Sequence, residues 1–581
     1  MSTDPSTPAP ALVIPEGFTL HWENTSAILL PAENGAFLNP VQEFNRDLSV
    51  ACIRTWGARM NSDRERRWRA AQERKVAKAT KTGARDADAD GHEAKRTKSE
   101  CRASAGASQI SEGAKGQQQA SRLSGMTSVC SNYHPHKFVI MEPLSATGLR
   151  AIRYANEIPL LKHVIANDLS PAAIEAMRRN IELNDLHEKV LPPEQGSEDP
   201  PKIRPARIQV HQGDACALMY NHRADRDRVD VIDLDPYGTA APFVDGAVQC
   251  VNDGGLLCVT CTDMAVLASL PYPEKCFANY GGVPVKAEYS HEAALRLVLH
   301  SLATAAARYG RSIQPLLSLS IDFYVRVFVR VQHSAAEVKR NLGKTAIYYV
   351  CSNCESFYEQ PLGRVKENPG KNGSINVSAK QHAGPPVSGR CPECDSTLHL
   401  AGPMWSGPLH EPAFVSDVLE HVEASKDNYG TAARMQGMLT VAKEELDTPF
   451  YFTPSTVASH FHCVNPSLDG TASALLHAGH KVSRSHACAG SLKTTASYAE
   501  IHDIFRSWIK SHPVRMDKIS PTSPAQRLLA KEPEKEHTFK HHPDSNPKSS
   551  KVKLVRYQQN PTPNWGPGSK PGAKRKREDA D

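Results

Sequence analysis

The sequence has no hydrophobic run long enough to cross a membrane. A transmembrane helix needs roughly 18 or more consecutive apolar residues, and no stretch approaches that length. The first 15 residues also lack the basic start and apolar core of a secretory signal, and the Arg-rich amphipathic pattern of a mitochondrial presequence. We therefore expect neither a membrane-spanning nor a secreted protein.

A glycine-rich dinucleotide-binding loop is missing as well. A predicted strand at residues 138–141 leads into a turn at 142–148 that has one glycine, Gly148, where a nicotinamide fingerprint needs three. The turn is therefore a poor match to an NAD-binding site. The net charge is only +6, which is compatible with an RNA ligand but does not by itself identify one.

Cysteine is present without the pattern of a disulfide framework, since 14 cysteines are scattered over the chain. Two Cys-x-x-Cys pairs, Cys351 with Cys354 and Cys391 with Cys394, have the spacing of a tetrahedral four-cysteine zinc site. The 36 residues between the pairs exceed the usual spacing, so two reduced pairs without metal are the alternative. Four thiolates would leave no open position for substrate, so we expect a structural zinc site.

Short apolar runs alternate with helical patterns over residues 138–331, which is typical of a doubly wound α/β sheet. Ser170 and Pro171 have the residue types of an N-cap and a first helical turn. The predicted strands are 138–141, 164–168, 208–210, 231–234 and 254–260, followed by two closing antiparallel strands within 318–331.

Polar residues follow several of these strands. Asp235 comes after the apolar strand 231–234, and Pro236 should end that strand because it cannot donate a ladder hydrogen bond. Ligands bind at the carboxyl ends of strands in such sheets. A carboxylate there, with the flat ring of Tyr237 beside it, suits chemistry on the amine of a nucleobase. Asp168 ends the second strand, where ribose hydroxyls are bound in such sheets.

With these residues the chain resembles the tRNA (guanine-26-N2)-dimethyltransferase family of S-adenosylmethionine-dependent class I methyltransferases. The resemblance covers roughly residues 15–60 and 131–510, in the family's order. The motifs that carry it lie at 37–40, 45–47, 144–150, 167–168, 213–215, 233–238 and 483–486.

The resemblance implies a Rossmann-like methyltransferase sheet, with S-adenosyl-L-methionine as methyl donor and tRNA as partner. It assigns Asp235 as the catalytic acid–base residue, which would act on the N2 amine of guanine 26, while Tyr237 holds the base. No obligate protein partner is inferred. The residues that it places in the cofactor pocket are Arg46, Arg150, Asp168, Asp214 and Ala215, with Phe37 beside it.

Five segments are expected along the chain. They are an N-terminal part of the catalytic domain (1–60), a disordered basic insertion (61–130), the methyltransferase domain (131–345), a smaller α+β tRNA-binding domain with the cysteine pairs and a winged-helix-like unit (346–513), and a disordered basic tail (514–581). Residues 64–81 of the insertion are either a charged helix that forms with RNA or, as we expect, a solvated linker.

Basic residues of the C-terminal part are candidate phosphate contacts, namely Lys481, Arg484, His486 and Lys493; a solvated face explains them equally well. The basic cluster at 574–577 is typical of nuclear import. We therefore expect the nucleus as the location, with the mitochondrion as a second one.

Two other classes of function are compatible with parts of the sequence. One is an amine methyltransferase acting on DNA adenine or protein glutamine, because such enzymes have a similar Asp-Pro-Pro-Tyr turn; the Arg46 motif and the paired cysteines argue against it. The other is a zinc-ribbon RNA-binding scaffold without catalysis. The acids Asp168, Asp214 and Asp235 argue against that, since an inactive cofactor pocket would not need them.

Overall fold

The computed structural model describes residues 14–32, 38–87, 132–191, 200–370 and 373–552. The described residues form two compact units, one made of those up to residue 56 together with those from residue 138 onward, and the other made of those between residues 57 and 137. Among the described residues, no helix combines the length and apolarity that a membrane span requires.

The strands are β1 Phe18–Glu23, β2 Ser26–Pro31, β3 Phe138–Glu142, β4 Leu161–Asp168, β5 Lys189–Leu191, β6 Lys202–Arg204, β7 Ile208–Gln212, β8 Val229–Leu234, β9 Val251–Cys261, β10 Arg311–Ile321, β11 Tyr324–His333, β12 Thr345–Cys351, β13 Phe357–Pro361, β14 Gly363–Pro369, β15 Ile375–Gln381, β16 Leu398–Trp405, β17 Val482–Arg484 and β18 Leu492–Thr494. The helices are α1 Glu43–Ala87, α2 Leu149–Glu157, α3 Pro171–Leu183, α4 Ala215–Asn221, α5 Ala241–Cys250, α6 Met264–Leu267, α7 Pro273–Tyr280, α8 Ser290–Ala307, α9 Ala335–Asn341, α10 Pro412–Ala424, α11 Ala432–Glu444, α12 Pro454–Phe461, α13 Leu468–His477, α14 Tyr498–Ser511 and α15 Pro524–Leu529.

A seven-stranded mixed sheet forms the centre of the larger unit, in the order β10-β11-β9-β8-β3-β4-β7. Strands β7, β4, β3, β8 and β9 are parallel to one another, whereas β11 pairs antiparallel with both β9 and β10. Every residue of β8 is buried, as a central strand covered on both faces requires. The α/β sheet predicted from the alternating pattern is thus confirmed, including its two antiparallel closing strands.

The starts of the helices follow the local sequence. Helix α3 begins at Pro171, and the Ser170 hydroxyl accepts a hydrogen bond from the backbone N–H of Ala173 at 3.5 Å. Gly148, just before α2, has φ +78°, and a Cβ there would lie 2.7 Å from Cγ of Met177. A glycine is therefore required at this position, since both the backbone angle and the close packing of α3 exclude a side chain.

The central seven-stranded sheet and the segment with the cysteine pairs share one hydrophobic core. Tyr348 and Trp405, from the three-stranded sheet β13-β12-β16, belong to the same buried cluster as Leu299 of α8 and Val327 of β11. Arg296 of α8 also donates a hydrogen bond to the carbonyl of Trp405 at 3.0 Å. The predicted boundary at residue 345 therefore does not separate two cores.

Residues 514–552, predicted as the first part of a disordered tail, are packed onto the C-terminal part of the larger unit. Leu528 of α15 is fully buried in a cluster with Phe461 and Phe505. Arg527 forms an ion pair with Asp395, next to a cysteine pair, at 2.7 Å. Few apolar residues anchor this segment, which is why composition alone indicated disorder. Residues 553–581, with the basic cluster at 574–577, lie outside the described residues.

The first part of the predicted disordered insertion is helical, since α1 continues to Ala87. Ala, Arg, Lys, Glu and Gln dominate residues 64–81, and all of them favour helix even where apolar residues are scarce. Residues 88–131, the remainder of that insertion, lie outside the described residues.

Candidate active site

A cavity of about 380 Å³ lies at the carboxyl ends of β3, β4 and β8. This is the edge of a parallel sheet at which ligands bind. The residues that line it are Leu38, Asn39, Gln42, Arg46, Glu142, Leu144, Ser145, Ala146, Thr147, Leu149, Arg150, Asp168, Asp235, Pro236, Tyr237, Phe243 and Thr262.

Five residues that the sequence assigned to the site line this cavity together: Arg46, Arg150, Asp168, Asp235 and Tyr237. Two others do not line it. Asp214 is exposed and caps α4, its Oδ1 accepting a hydrogen bond from the N–H of Ala217 at 2.7 Å, and Ala215 is buried in the first turn of that helix. Phe37 lies outside the described residues.

Asp235 follows the end of β8 directly, at the turn that Pro236 was expected to impose. Its side chain is 22% exposed and pairs with the guanidinium of Arg150. Tyr237, two residues on, is 88% exposed. The turn is fixed at Gly238, which has φ +87° and donates its N–H to the hydroxyl of Thr262 at 2.7 Å. A rigid turn thus presents a carboxylate and a free aromatic face at the mouth of the cavity.

Arg150 is buried among three carboxylates. Besides Asp235, its guanidinium lies 3.5 Å from Asp233 and 3.6 Å from Glu142. Nη1 also donates to the hydroxyl of Ser49 at 3.1 Å. An arginine held by so many partners keeps a fixed position, so it positions Asp235 at the cavity wall.

Asp233, which lies in β8 two residues before Asp235, has a structural role. It is fully buried, and both its oxygens bond Arg326, at 2.7 and 2.9 Å. The Tyr154 hydroxyl donates to it as well. Burial opposes ionisation of Asp233, but the charges of Arg326 and Arg150 outweigh it and lower the pKa. The prediction that Asp233 supports the site agrees with these contacts.

Glu142, the last residue of β3, is a site residue that the sequence reasoning did not single out. Its carboxylate accepts a hydrogen bond from the Ser145 hydroxyl at 2.9 Å and is buried under the cavity floor. Burial, which Arg150 opposes only in part, raises the pKa of Glu142 to about 8. The position of Glu142 at the end of a predicted strand could have identified it as a site residue from the sequence.

Asp168 fixes the turn after β3. One of its oxygens accepts from the N–H of Ala146 at 3.0 Å and the other from the N–H of Ser170 at 2.9 Å. Ala146 has φ +47°, an uncommon conformation for alanine. The carboxylate of Asp168 thus holds the turn in shape and also lines the cavity.

Arg46 connects the N-terminal segment to the sheet. It forms a buried ion pair with Glu23 of β1, with Nε 2.7 Å from the carboxylate, and Arg153 of α2 bonds the same carboxylate at 2.7 Å. Burial alone would raise the pKa of Glu23, but these two arginines lower it to about 2. Glu23 was absent from the sequence predictions because its partners are distant in the chain.

The four paired cysteines meet in space. Sγ of Cys351 lies 3.4 Å from Sγ of Cys394, and Sγ of Cys354 lies 3.7 Å from that of Cys391. All four are buried. A tetrahedral zinc site with Zn–S bonds of ~2.3 Å places its sulfurs ~3.8 Å apart, close to these distances. The hairpin of β14 and β15 occupies most of the long spacer, which is how distant pairs come together.

Two of the basic residues considered as phosphate contacts are buried instead. Lys493 bonds Glu292 at 3.2 Å and Glu445 at 3.3 Å. His486 bonds Glu445 through Nδ1 at 2.6 Å. Their role is therefore to hold the C-terminal part together, and the phosphate-contact interpretation is wrong for both. Lys481 is exposed.

Comparison with known proteins shows the family to which the chain belongs. A family model described as N2,N2-dimethylguanosine tRNA methyltransferase matches residues 18–506. A tRNA (guanine(26)-N(2))-dimethyltransferase of Schizosaccharomyces pombe is 41% identical over 95% of this chain and 92% of its own length. The human protein of that name is 41% identical over 95% of this chain and 78% of its own.

A relative from Saccharomyces cerevisiae, named as the mitochondrial enzyme, is 40% identical over 96% of this chain and 93% of its own. Among solved structures, Trm1 from Pyrococcus horikoshii in complex with S-adenosyl-L-methionine has a TM-score of 0.56 and 23% identity, covering 83% of this chain and 98% of that one. The fold is therefore shared with that protein. The chain belongs to the N2,N2-dimethylguanosine tRNA methyltransferase family.

Proposed function

We propose that this protein transfers methyl groups from S-adenosyl-L-methionine to the exocyclic N2 amine of guanine 26 in tRNA, giving N2,N2-dimethylguanosine. The observation that carries the proposal is the turn at the cavity mouth, where Asp235 and the exposed ring of Tyr237 stand side by side. Membership of the family supports this substrate and this reaction.

The guanine amine is a weak nucleophile because its lone pair is delocalised into the ring. We assign Asp235 as the acceptor of a hydrogen bond from this amine, which localises the lone pair and receives the proton as the N–C bond forms. Such acid–base assistance typically contributes ~10²–10⁴-fold to the rate. Arg150, paired with Asp235, holds that carboxylate in its orientation. Tyr237 stacks on the base once it has left its own stack in the RNA.

The cavity suits the methyl donor in size and in chemistry. Asp168 is an acceptor at the end of the second parallel strand, where it can bind ribose hydroxyls. Arg46 and Arg150 line the same cavity and can donate guanidinium N–H groups to the carboxylate of the donor's amino-acid part. The bound donor supplies an electrophilic methyl group on sulfur; the residues align it with the amine, and alignment alone supplies several kcal/mol.

We also propose that Cys351, Cys354, Cys391 and Cys394 bind structural zinc. Their buried sulfurs are already within 4.8 Å of one another, and a complete set of four thiolates has no position open for substrate. Asp395, which follows the second pair, bonds Arg527 of the C-terminal segment, so a metal here would stabilise the packing of residues 514–552.

Nucleoside analysis of RNA treated with the purified protein tests the function. We expect N2-methylated guanosine at position 26 of an unmodified tRNA, and no methylated adenine in DNA or glutamine in protein. Methylation of either alternative substrate in place of tRNA would refute the assignment, and a cofactor that binds without any product would favour the scaffold. Nuclear location, through residues 574–577, and a mitochondrial location remain proposals, tested by microscopy of the tagged full chain.

A further inference from the structure

The part of helix α1 that lies in the smaller unit is positively charged. Residues 57–77 include seven basic and three acidic side chains. Two groups of these arginines differ in whether they form an ion pair with an acidic side chain of the same helix.

One group is neutralised within the helix. Arg66 pairs with Asp63 at 2.5 Å and Arg69 with Glu65 at 2.5 Å, three and four residues away. These are ordinary pairs on a solvated helix face, each worth a few tenths of a kcal/mol. They leave little positive charge for an external partner.

The other group has no such partner. Arg64, Arg67 and Arg74 are exposed, and among the described residues they form no ion pair or hydrogen bond. At 3.6 residues per turn these three positions lie within about 80° of one another around the helix axis and extend over about 15 Å along it. They therefore form one stripe, which we call the arginine stripe.

The helix that carries the arginine stripe is anchored within its own unit. The Asn61 side chain bonds the backbone of His136 twice, accepting from its N–H at 2.7 Å and donating to its carbonyl at 3.1 Å. Trp68 packs against Tyr133 with ring centroids 6.0 Å apart. The chain that returns from the insertion thus holds the helix, so the three guanidinium groups are presented from an ordered element.

We infer that the arginine stripe, Arg64, Arg67 and Arg74, binds the phosphate backbone of the tRNA substrate; this inference rests on the proposed function. Guanidinium groups bind phosphate oxygens in a bidentate manner, and unpaired ones lose no existing ion pair on binding. A membrane surface fits less well, because an interfacial helix needs an apolar face. Between residues 57 and 77, Val76 is the large hydrophobic side chain that is exposed.

Two double variants with the same change in net charge test the arginine stripe. Arg64→Gln with Arg67→Gln removes part of it, whereas Arg66→Gln with Arg69→Gln removes two arginines that are already paired. Glutamine favours helix about as well as arginine, so neither change should unfold α1. Circular dichroism of both proteins checks this. The measurement is tRNA affinity by fluorescence anisotropy over a range of salt concentrations, with radiolabel transfer to tRNA followed in parallel.

We expect the first variant to bind tRNA about tenfold more weakly near 0.1 M salt. The magnitude of its slope of log affinity against log salt should be smaller by about one to two than that of the wild type. Its methylation rate at saturating tRNA should stay within about twofold of the wild type, because the stripe contacts backbone and not the reacting base. The second variant should change affinity by less than about twofold.

Equal losses in the two variants would overturn the inference, because net charge alone would then explain them. Unchanged affinity in the first variant would overturn it as well. The proposed function is judged separately in the same experiment, since it fails only if the wild-type protein transfers no label to tRNA.

Discussion

Replacing Asp235 by asparagine should stop methyl transfer while leaving the protein folded. Asparagine keeps the shape of the side chain and removes its negative charge, so the amine loses its proton acceptor. We expect the single-turnover rate on unmodified tRNA to fall by ~10²–10⁴-fold. The affinity for S-adenosyl-L-methionine, measured by calorimetry, should change by no more than about threefold, because Arg150 keeps its contacts with Asp233 and Glu142.

The free energy of unfolding is the second measurement on the Asp235→Asn variant. Asp235 is partly exposed, at 22%, and Arg150 keeps Asp233 as a partner, so loss of the ion pair between Asp235 and Arg150 should lower the free energy of unfolding by less than loss of a fully buried pair does. Asp233 is the matched control, since it lies two residues earlier and is fully buried against Arg326. Asp233→Asn removes one partner of a buried pair and should cost ~3–5 kcal/mol in urea unfolding.

The two variants should therefore fail in different assays. Asp235→Asn with a rate within about tenfold of the wild type would refute the acid–base assignment. A stable Asp233→Asn protein that has lost its methylation rate would show that the two aspartates have been assigned the wrong roles.

Three further predictions concern the cofactor, the metal and pH. Asp168→Ala should weaken S-adenosyl-L-methionine binding sharply in calorimetry; unchanged affinity would contradict its role as ribose acceptor. We expect elemental analysis of the wild-type protein to find about one zinc ion per chain, and Cys351→Ser with Cys354→Ser should remove it and lower stability, whereas Cys463→Ser should do neither; wild-type protein without zinc would disprove the site. Burial raises the pKa of Glu142 from 4.5 to about 8, so the folded chain holds a proton that the unfolded chain releases, and stability falls as pH rises from 5 to 8. Glu142→Gln should remove that loss. The free energy of unfolding of the variant minus that of the wild type should therefore rise by up to about 4 kcal/mol between pH 5 and pH 8; parallel curves of stability against pH would contradict the shift.

A cut at the predicted boundary after residue 345 would not isolate a cofactor-binding domain, although the sequence analysis placed the methyltransferase domain before it and the tRNA-binding domain after it. Tyr348, Met404 and Trp405 complete the core that also contains residues of α8 and β11. Removing the later part of the chain would expose this apolar surface to water. Whether cofactor binding and tRNA recognition use different parts of the chain is better tested with full-length variants, such as those of the arginine stripe.

The elements of the sheet could be predicted from the sequence because their signals are local. The run before Asp235 has Val231, Ile232 and Leu234 on both faces, as a strand covered on both faces requires. Pro236 ends it at the residue expected, and Ser170 caps α3 as its residue type and the following proline indicate. Strand and turn propensities act over a few residues, so they are readable without the fold.

The surroundings of each site residue were decided only by the tertiary structure. Arg326 lies on a strand far along the chain from Asp233, and no local pattern pairs them. The same holds for Lys493, whose charge suggested a surface contact but is neutralised by two buried glutamates. The sequence by itself determined the order of strands and turns and the identity of the acids at their ends. Burial and charge pairing depend on which distant segments pack together, and they determine which of those acids is ionised, which is structural and which faces the substrate.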